Sequence, residues 1–363
     1  MLCVCIPTCK RAALLEALLD DISAQSLLPD LLVVVDGDPN SGEVLPALER
    51  HSPTATKTSG RTLYIPSNHS NLPYQRFLGW KVAEKADSEL LAYLDDDLRI
   101  PNHDAISRLV APLRFDQDGV VASTGSVLYP NDRGNRERLV PGDRIHSGES
   151  GTPLLVRMLG SARGMAPGSL TPSGHRLPPC PSASGTADIQ WLRGGVMAVR
   201  MGFLSSDCFS EDLFALAELG YGHGEDTFLS GRLASMGRLR FVSSAEFLHP
   251  CSDLPRAYTT KAAKMGFGSA YSRRLLNDNY RWPKAPRLGD RVALWKSYAG
   301  TVMIYWLRAI RNPKLHRFAF AWGYSKGAWN GMTRPPKASR LTPRVDWRRD
   351  AQEAFNAAKT ISL

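Results

Sequence analysis

The feature that most constrains this chain is the alternation of short, largely apolar runs with amphipathic segments through its N-terminal part. Leu2 to Pro7, Leu31 to Val35, Thr62 to Ile65 and Glu89 to Leu94 show no helical period, and Asp36-Gly37-Asp38-Pro39 is a dense turn signal behind the second of them. Runs of this length read as strands buried on both faces. Between them, Arg11 to Gln25 spaces Leu14, Leu15, Leu18, Leu19 and Ile22 at three- and four-residue intervals, the stripe of an amphipathic helix. Val44 to Arg50 and Tyr74 to Ala86 also read as helices. Strand alternating with helix predicts an α/β fold with a mostly parallel sheet covered by helices.

Further along, Trp191 to Val199 reads as a strand behind the pair Gly194-Gly195, Thr227 to Ser235 as a helix and Leu239 to Val242 as a strand. The stretch from Tyr129 to Asp188 is rich in Gly, Pro, Ser and Arg, without period, and too long for an ordinary connection. It is expected to be an insertion or a lid over the site. The last hundred or so residues read as helical. The expected division is residues 1–253 as the main domain, with 129–188 inserted, and residues 254–363 as a helical C-terminal region.

Charge separates these parts more sharply than composition does. The net charge is +10. From Leu254 onward there are 22 Lys and Arg against 5 Asp and Glu (+17), while the preceding residues carry 23 against 30 (−7). A basic region carrying Tyr298, Tyr305, Trp306, Trp322, Tyr324 and Trp329 suggests an anionic partner such as a membrane surface, an anionic acceptor or a nucleic acid; a solvated basic face or an inward-packed helical subdomain accounts for the same pattern.

The six cysteines are too few and scattered for a disulfide framework. Cys3, Cys5 and Cys9 lie in or beside the first strand, which points to reduced thiols rather than a metal site. The N-terminus lacks the pattern of a secretory signal. The longest candidate span, Val292 to Ile310, is broken by Lys296 and Arg308. A cytoplasmic protein, held peripherally on the inner face of the cell membrane, is the expectation.

The chemistry centres on Leu91-Ala92-Tyr93-Leu94-Asp95-Asp96-Asp97, a buried strand delivering three carboxylates. Ligands of open α/β sheets bind beyond the carboxyl ends of the strands. Crowded carboxylates there are costly unless a cation is present, and Mg2+ or Mn2+ commonly joins protein carboxylates to substrate phosphates. Strand alternation predicts Asp95 and Asp97 on one side and Asp96 on the other. A solvated acidic turn or helix cap would be the better explanation of the triplet if it stood alone.

It has companions. Asp36 ends the second strand, as a ribose or base acceptor or as a turn residue bonding its own backbone. Glu225 and Asp226 follow a glycine-rich stretch and open a helix, as a general base or as N-terminal compensation of the helix dipole. His249, in Phe247-Leu248-His249-Pro250, lies just past a strand as a candidate third metal ligand.

Taken in order, these segments resemble the family 2 glycosyltransferases. Cys5-Ile6-Pro7-Thr8-Cys9-Lys10-Arg11 is similar to that family's opening turn, Leu32 to Gly37 to its second strand, Leu72 to Gly79 to its arginine-bearing helix start, and Leu94-Asp95-Asp96-Asp97 to its DxD motif. Gly194 to Ala198 resembles the acceptor-side glycine strand. Gly224-Glu225-Asp226-Thr227-Phe228-Leu229 with Arg232-Leu233 and Gly237 resembles the GED block, and His249-Pro250 falls where a late metal-site histidine stands. The resemblance spans roughly residues 2 to 250.

It implies a GT-A, Rossmann-like fold with a helical C-terminal extension and an inverting transfer from a nucleotide-sugar donor to a saccharide or lipid-linked saccharide. Bacterial surface-polysaccharide assembly is the implied setting. The implied donor-binding residues are Pro7, Thr8, Arg11, Asp36, Arg76, Asp95 and Asp96. Asp95, Asp97 and His249 would hold Mn2+ or Mg2+, with Asp226 as base and Glu225 beside it. A sugar nucleotidyltransferase would show a glycine-rich basic loop where Pro7-Thr8-Cys9 stands. A nucleic-acid binder would carry a recognition motif, and none is present. A scaffold without activity would have no need of Asp97, Asp226 and His249 together.

Overall fold

The computed structural model of the chain describes residues 1–55, 61–115, 119–130, 136–137, 165–177, 179–180, 182, 185–221, 224–250, 259–333 and 345–361. In chain order the strands are β1 (Leu2–Thr8), β2 (Leu31–Asp36), β3 (Arg61–Pro66), β4 (Leu90–Leu94), β5 (Val120–Pro130), β6 (Arg136–Glu137), β7 (Thr186–Ile189), β8 (Val196–Arg200), β9 (Arg238–Leu248) and β10 (Lys359–Ile361). The α-helices are α1 (Ala12–Ser23), α2 (Val44–Ala55), α3 (Leu72–Lys85), α4 (Ala105–Phe115), α5 (Glu211–Glu218) and α6 (Glu225–Ala234), followed by α7 (Thr259–Asn279), α8 (Leu288–Arg311), α9 (Leu315–Thr333) and α10 (Trp347–Asn356).

Among the described residues nine strands lie in the order β10-β3-β2-β1-β4-β8-β5-β9-β7, with β6 paired to β5. The pairings β3–β2, β2–β1, β1–β4 and β5–β9 are parallel, whereas β8 runs against both β4 and β5. This mixed α/β sheet flanked by helices, with a helical C-terminal region, is the helix-covered arrangement the alternation of strand and helix led one to expect. Every residue of β1, β2 and β4 is buried, which explains why their sequences are nearly continuous apolar runs: helices cover both faces. One face packs Val4, Ile6, Leu15, Leu18, Ile22, Leu109 and Phe247, and the other Cys5, Val33, Leu78, Trp80, Tyr93 and Met197. On the second face α3 comes so close to β1 that a Cβ on Gly79 would collide with Cys5 Sγ. Burial pushes the Cys5 thiol up to about 12, consistent with a packing group rather than a thiolate ligand.

Several elements differ from the sequence expectation. α2 runs to Ala55, and β9 continues through Leu248 instead of ending at Val242. Within the stretch expected as an insertion, Thr186–Ile189 forms the edge strand β7, antiparallel to β9. Its Thr-Ala-Asp-Ile sequence has too little apolar pattern to announce a strand. β10, three residues long, pairs antiparallel with β3 and returns the C-terminal region to the sheet.

α7, α8 and α9 pack around Ala270, Leu294, Tyr298, Tyr324 and Ala328. Tyr298 and Tyr324 are therefore core residues and not surface aromatics. No helix among the described residues is long and apolar enough to cross a membrane.

Candidate active site

The site forms where β1, β2, β4 and β9 end. Thr8 and Asp36 are register partners at the tips of β1 and β2. Gln75 of α3 ties these tips together, its side-chain NH2 donating to the carbonyls of Thr8 and Val35 at 2.8 Å each. Pro7, one residue before the tip, is buried in β1 beside Val35. The Asp36 carboxylate accepts bonds from the Asp38 N–H (3.0 Å) and the Tyr64 hydroxyl (2.9 Å). Burial nevertheless raises its pKa above the ordinary value. Asp36 thus makes the local turn bonds one reading of the sequence anticipated.

β4 stops at Leu94, and Asp95 to Leu98 form a turn closed by Leu98 N–H donating to Asp95 O (3.3 Å). Strand alternation therefore does not continue through the triplet, and the expected grouping is corrected. Asp96 and Asp97 share Arg11, whose Nη1 reaches Asp96 Oδ1 at 3.1 Å and Asp97 Oδ2 at 2.9 Å. Asp95 instead faces Arg76, with Nη2 to Oδ1 at 2.9 Å. Asp96 also accepts from Thr8 Oγ1 at 2.7 Å. Burial pushes its pKa up to about 6, with the Thr8 and Arg11 bonds opposing and the charge of Asp97 adding.

Asp97 meets His249 from the far end of the chain. Arg99 and Leu248 exchange two backbone bonds, Arg99 N–H to Leu248 O (2.7 Å) and Leu248 N–H to Arg99 O (2.8 Å). That antiparallel bridge brings the residue after β9 alongside the triplet, with His249 Nε2 3.3 Å from Asp97 Oδ1. These two side chains offer an oxygen and a nitrogen donor at the sheet's carboxyl edge. Among the described residues no group of three or more His, Cys, Asp or Glu converges as a ready-made cage. The donor set still fits Mg2+ or Mn2+, which are commonly held by one or two protein groups with substrate phosphates and water completing the shell.

A second layer is organised by Arg76, which is 2% exposed. Asn71 caps α3 by accepting from Tyr74 N–H (3.2 Å), and this sets the helix start that points Arg76 inward. Its Nη2 donates to Asp95 Oδ1 and to the Gly194 carbonyl (2.6 Å), and its Nη1 to Glu225 Oε1 (3.2 Å). Burial alone would lower its pKa, but Asp95, Glu225 and Asp226 together raise it. All of these contacts are internal, so Arg76 clamps three segments: the β4 turn, the glycine pair and the start of α6.

Glu225 and Asp226 open α6, where the helix dipole favours negative charge. Gly224 precedes them at φ +89°, a left-handed conformation suited to glycine. Gly222 and His223 lie outside the described residues. The glycine pair before β8 is there for space: a Cβ on Gly194 would sit 2.8 Å from Asp226 Oδ2, and one on Gly195 3.1 Å from Asp95 Oδ2.

The adjacent carboxylates of Glu225 and Asp226 are pushed apart in acidity. Burial and the charge of Asp226 raise the pKa of Glu225 against the pull of Arg76. Burial also acts upward on Asp226, but Arg176, Arg76 and the Thr227 N–H outweigh it and the pKa falls. Two neighbouring acids with opposite shifts are a common basis for dividing acid and base roles.

Arg176 is the site residue the sequence did not reveal. Its Nη2 donates to Asp226 Oδ1 at 2.6 Å and to Thr227 Oγ1 at 2.6 Å. It comes from the Gly/Pro/Ser-rich stretch, and only proximity in three dimensions marks it out. Its guanidinium and that of Arg193 lie 5.6 and 5.5 Å from the ring of buried Trp191.

An open α/β sheet whose carboxyl edge gathers Asp97, His249 and a dipole-supported acid pair has the arrangement in which such sheets bind ligands beyond their strand ends. Residues 3–165 match the family model described as "Glycosyl transferase family 2". No curated protein matches the sequence. Among solved structures, the chain is similar to Staphylococcus aureus TarS residues 1–349, at 13% identity over 91% of this chain and 90% of that one, with a TM-score of 0.44. It is also similar to glucosyl-3-phosphoglycerate synthase from Mycobacterium tuberculosis in complex with Mg2+ and uridine-diphosphate, at 16% identity over 75% and 79% of the two chains, with a TM-score of 0.40.

Proposed function

We propose that this chain is a glycosyltransferase that moves a sugar, with inversion, from a nucleoside-diphosphate sugar to a hydroxyl of a saccharide or lipid-linked saccharide in cell-surface polysaccharide or glycolipid assembly. The observation that carries the reading is the meeting of Asp97 and His249 at the same sheet edge as Asp226. In this reading Pro7, Thr8 and Asp36 line the nucleoside end, and Arg11 with Asp96 fixes the orientation of Asp97. Asp97 and His249 hold the divalent cation, with Asp95 nearby under the control of Arg76. Bound there, Mn2+ or Mg2+ supplies charge compensation for the diphosphate leaving group.

Asp226, kept ionised by Arg176 and Arg76, accepts the proton of the acceptor hydroxyl as that oxygen attacks the anomeric carbon and the bond to the diphosphate breaks. Glu225, with its raised pKa, stays beside it as the anchor of Arg76 and is not needed as a second base. The anionic membrane surface belongs to the same reading as the partner of the basic C-terminal region.

The test is a thermal-shift series with UDP, GDP, CDP and their sugars, with and without Mn2+. One nucleoside diphosphate should raise Tm only when Mn2+ is present, and Asp97→Ala should abolish the effect. Silence toward every nucleotide would remove the transferase reading.

A further inference from the structure

The α8–α9 hairpin leaves a large apolar surface without a partner among the described residues. Leu307 and Ile310 near the end of α8 are 56% and 65% exposed, and Leu315, Trp322 and Trp329 along α9 are 73%, 63% and 65% exposed. Their spacing is helical. Residues 303, 307 and 310 fall on one stripe of α8, and 315, 322 and 329 recur every seven residues on α9. The opposite faces are fully used, since Leu294, Tyr298, Tyr324 and Ala328 form a core with α7. Trp306 Nε1–H donates to Ser325 Oγ at 3.1 Å across the hairpin, so the two helices form a packed pair and the apolar stripes are not left over from an open arrangement.

Charge narrows what can cover this surface. Between Asp290 and Asp346 the sequence carries eleven Lys and Arg and no Asp or Glu. Arg308, Arg311 and Lys314 are exposed at the hairpin tip, interleaved with Leu307, Ile310 and Leu315. A second copy of the chain would bring the same cations against these, which is repulsive. A nucleic acid would satisfy the cations but not the leucines and isoleucine. A bilayer with anionic headgroups satisfies both: apolar side chains enter the acyl boundary while Lys and Arg stay at the phosphates.

We infer that the tip of the α8–α9 hairpin is a monotopic docking surface for an anionic lipid bilayer. This rests on the membrane reading given above and names the residues that serve it: Leu307, Ile310 and Leu315 as the inserted group, and Arg308, Arg311 and Lys314 as the phosphate-facing group. α7 joins the hairpin core to α6, the helix that starts with Glu225 and Asp226. Docking therefore sets the attitude of the active site toward the lipid surface, as a lipid-linked acceptor requires.

The test is co-sedimentation of the full chain with phosphatidylcholine vesicles containing about a quarter phosphatidylglycerol, against phosphatidylcholine alone, over a salt series. The wild type should pellet with the anionic vesicles only and be released by salt. Because each cation contributes roughly fivefold, Arg308→Glu/Arg311→Glu/Lys314→Glu should weaken binding at least about a hundredfold. Leu307→Asp/Ile310→Asp/Leu315→Asp should also detach the protein, with circular dichroism and Tm unchanged because these side chains face solvent.

A wild type that ignores anionic vesicles overturns the membrane reading itself. A wild type that binds while both variants bind equally well overturns the hairpin assignment alone. A dimer by light scattering that the Leu307 variant dissolves, without vesicle binding, assigns the surface to a second copy. Salt-sensitive binding of duplex DNA without vesicle binding assigns it to nucleic acid. Nucleotide-dependent Tm on the same samples reports separately on the transferase reading.

Discussion

His249 Nε2 stands 3.3 Å from Asp97 Oδ1, although one residue follows the last long strand and the other the fourth. Binding at about a hundred times its Kd stabilises a protein by about 2.7 kcal/mol, enough to read in a melt. We expect Mn2+-dependent stabilisation by the cognate nucleotide to vanish in Asp97→Ala and to need at least about tenfold more metal in His249→Ala, a modest loss for one ligand of an incomplete shell. Equal metal titrations in wild type and His249→Ala would remove that residue from the metal set.

Arg76 joins Asp95, Glu225 and the Gly194 carbonyl while almost wholly buried. Removing one partner of a buried ionic cluster costs about 3–5 kcal/mol, because carboxylates are left without compensation. Arg76→Ala should lose this much in urea unfolding, and Arg76→Lys should recover only part of it, since an ammonium cannot span the three acceptors as the guanidinium fork does.

Arg176→Ala gives a prediction in pH. Asp226 is faced by Arg176 and Arg76 as cations and by Glu225 as a like charge. Its folded pKa lies below the ordinary carboxylate value, so its contribution to stability is present above that value and is lost as pH falls through the lowered one. Without Arg176 the pKa of Asp226 rises, and the acid limb of the transfer rate should move to higher pH. Asp226→Asn should keep donor binding and abolish transfer. An unmoved acid limb in Arg176→Ala, or full turnover in Asp226→Asn, would take Asp226 out of the role of base.

Gly194→Ala separates positioning from binding. The added Cβ would press on Asp226 Oδ2 from 2.8 Å, and a displacement of about 1 Å at a reacting group can cost on the order of a hundredfold in rate. kcat should drop by that order while the nucleotide Kd is retained.

Asp36→Asn tests whether the turn role and the nucleoside role coincide. An amide can accept from Asp38 N–H and donate to the Tyr64 oxygen, so stability should change by less than about 1.5 kcal/mol. Nucleotide affinity should fall about tenfold or more if the carboxylate also receives the nucleoside, and an unchanged affinity would confine Asp36 to the turn.

The sequence disclosed what is dictated by buried strands. β1, β2 and β4 are flat apolar runs because both faces are covered, and their ends are where Thr8, Asp36 and the Asp triplet had to emerge. What it did not disclose depends on contacts between distant segments. The triplet divides as Asp95 against Asp96 and Asp97 because a turn begins after Leu94, and only the positions of Arg76 and Arg11 make that visible. Arg176 reaches Asp226 from a stretch without period. Of the six aromatics that suggested a membrane face, Tyr298 and Tyr324 are core, whereas Trp322 and Trp329 are exposed. Aromatic content alone cannot tell an inward ring from an outward one.

The short pairing of β10 with β3 has a consequence for any attempt to divide this protein. A fragment ending at residue 253 would keep the acidic cluster and His249 but strip the outermost backbone row of β3 and uncover the apolar side chains beneath α10. Open rows of this kind recruit other chains. Such a fragment is therefore expected to be sticky and poorly behaved even with every active-site side chain present, so the helical third doubles as a selvedge for the sheet.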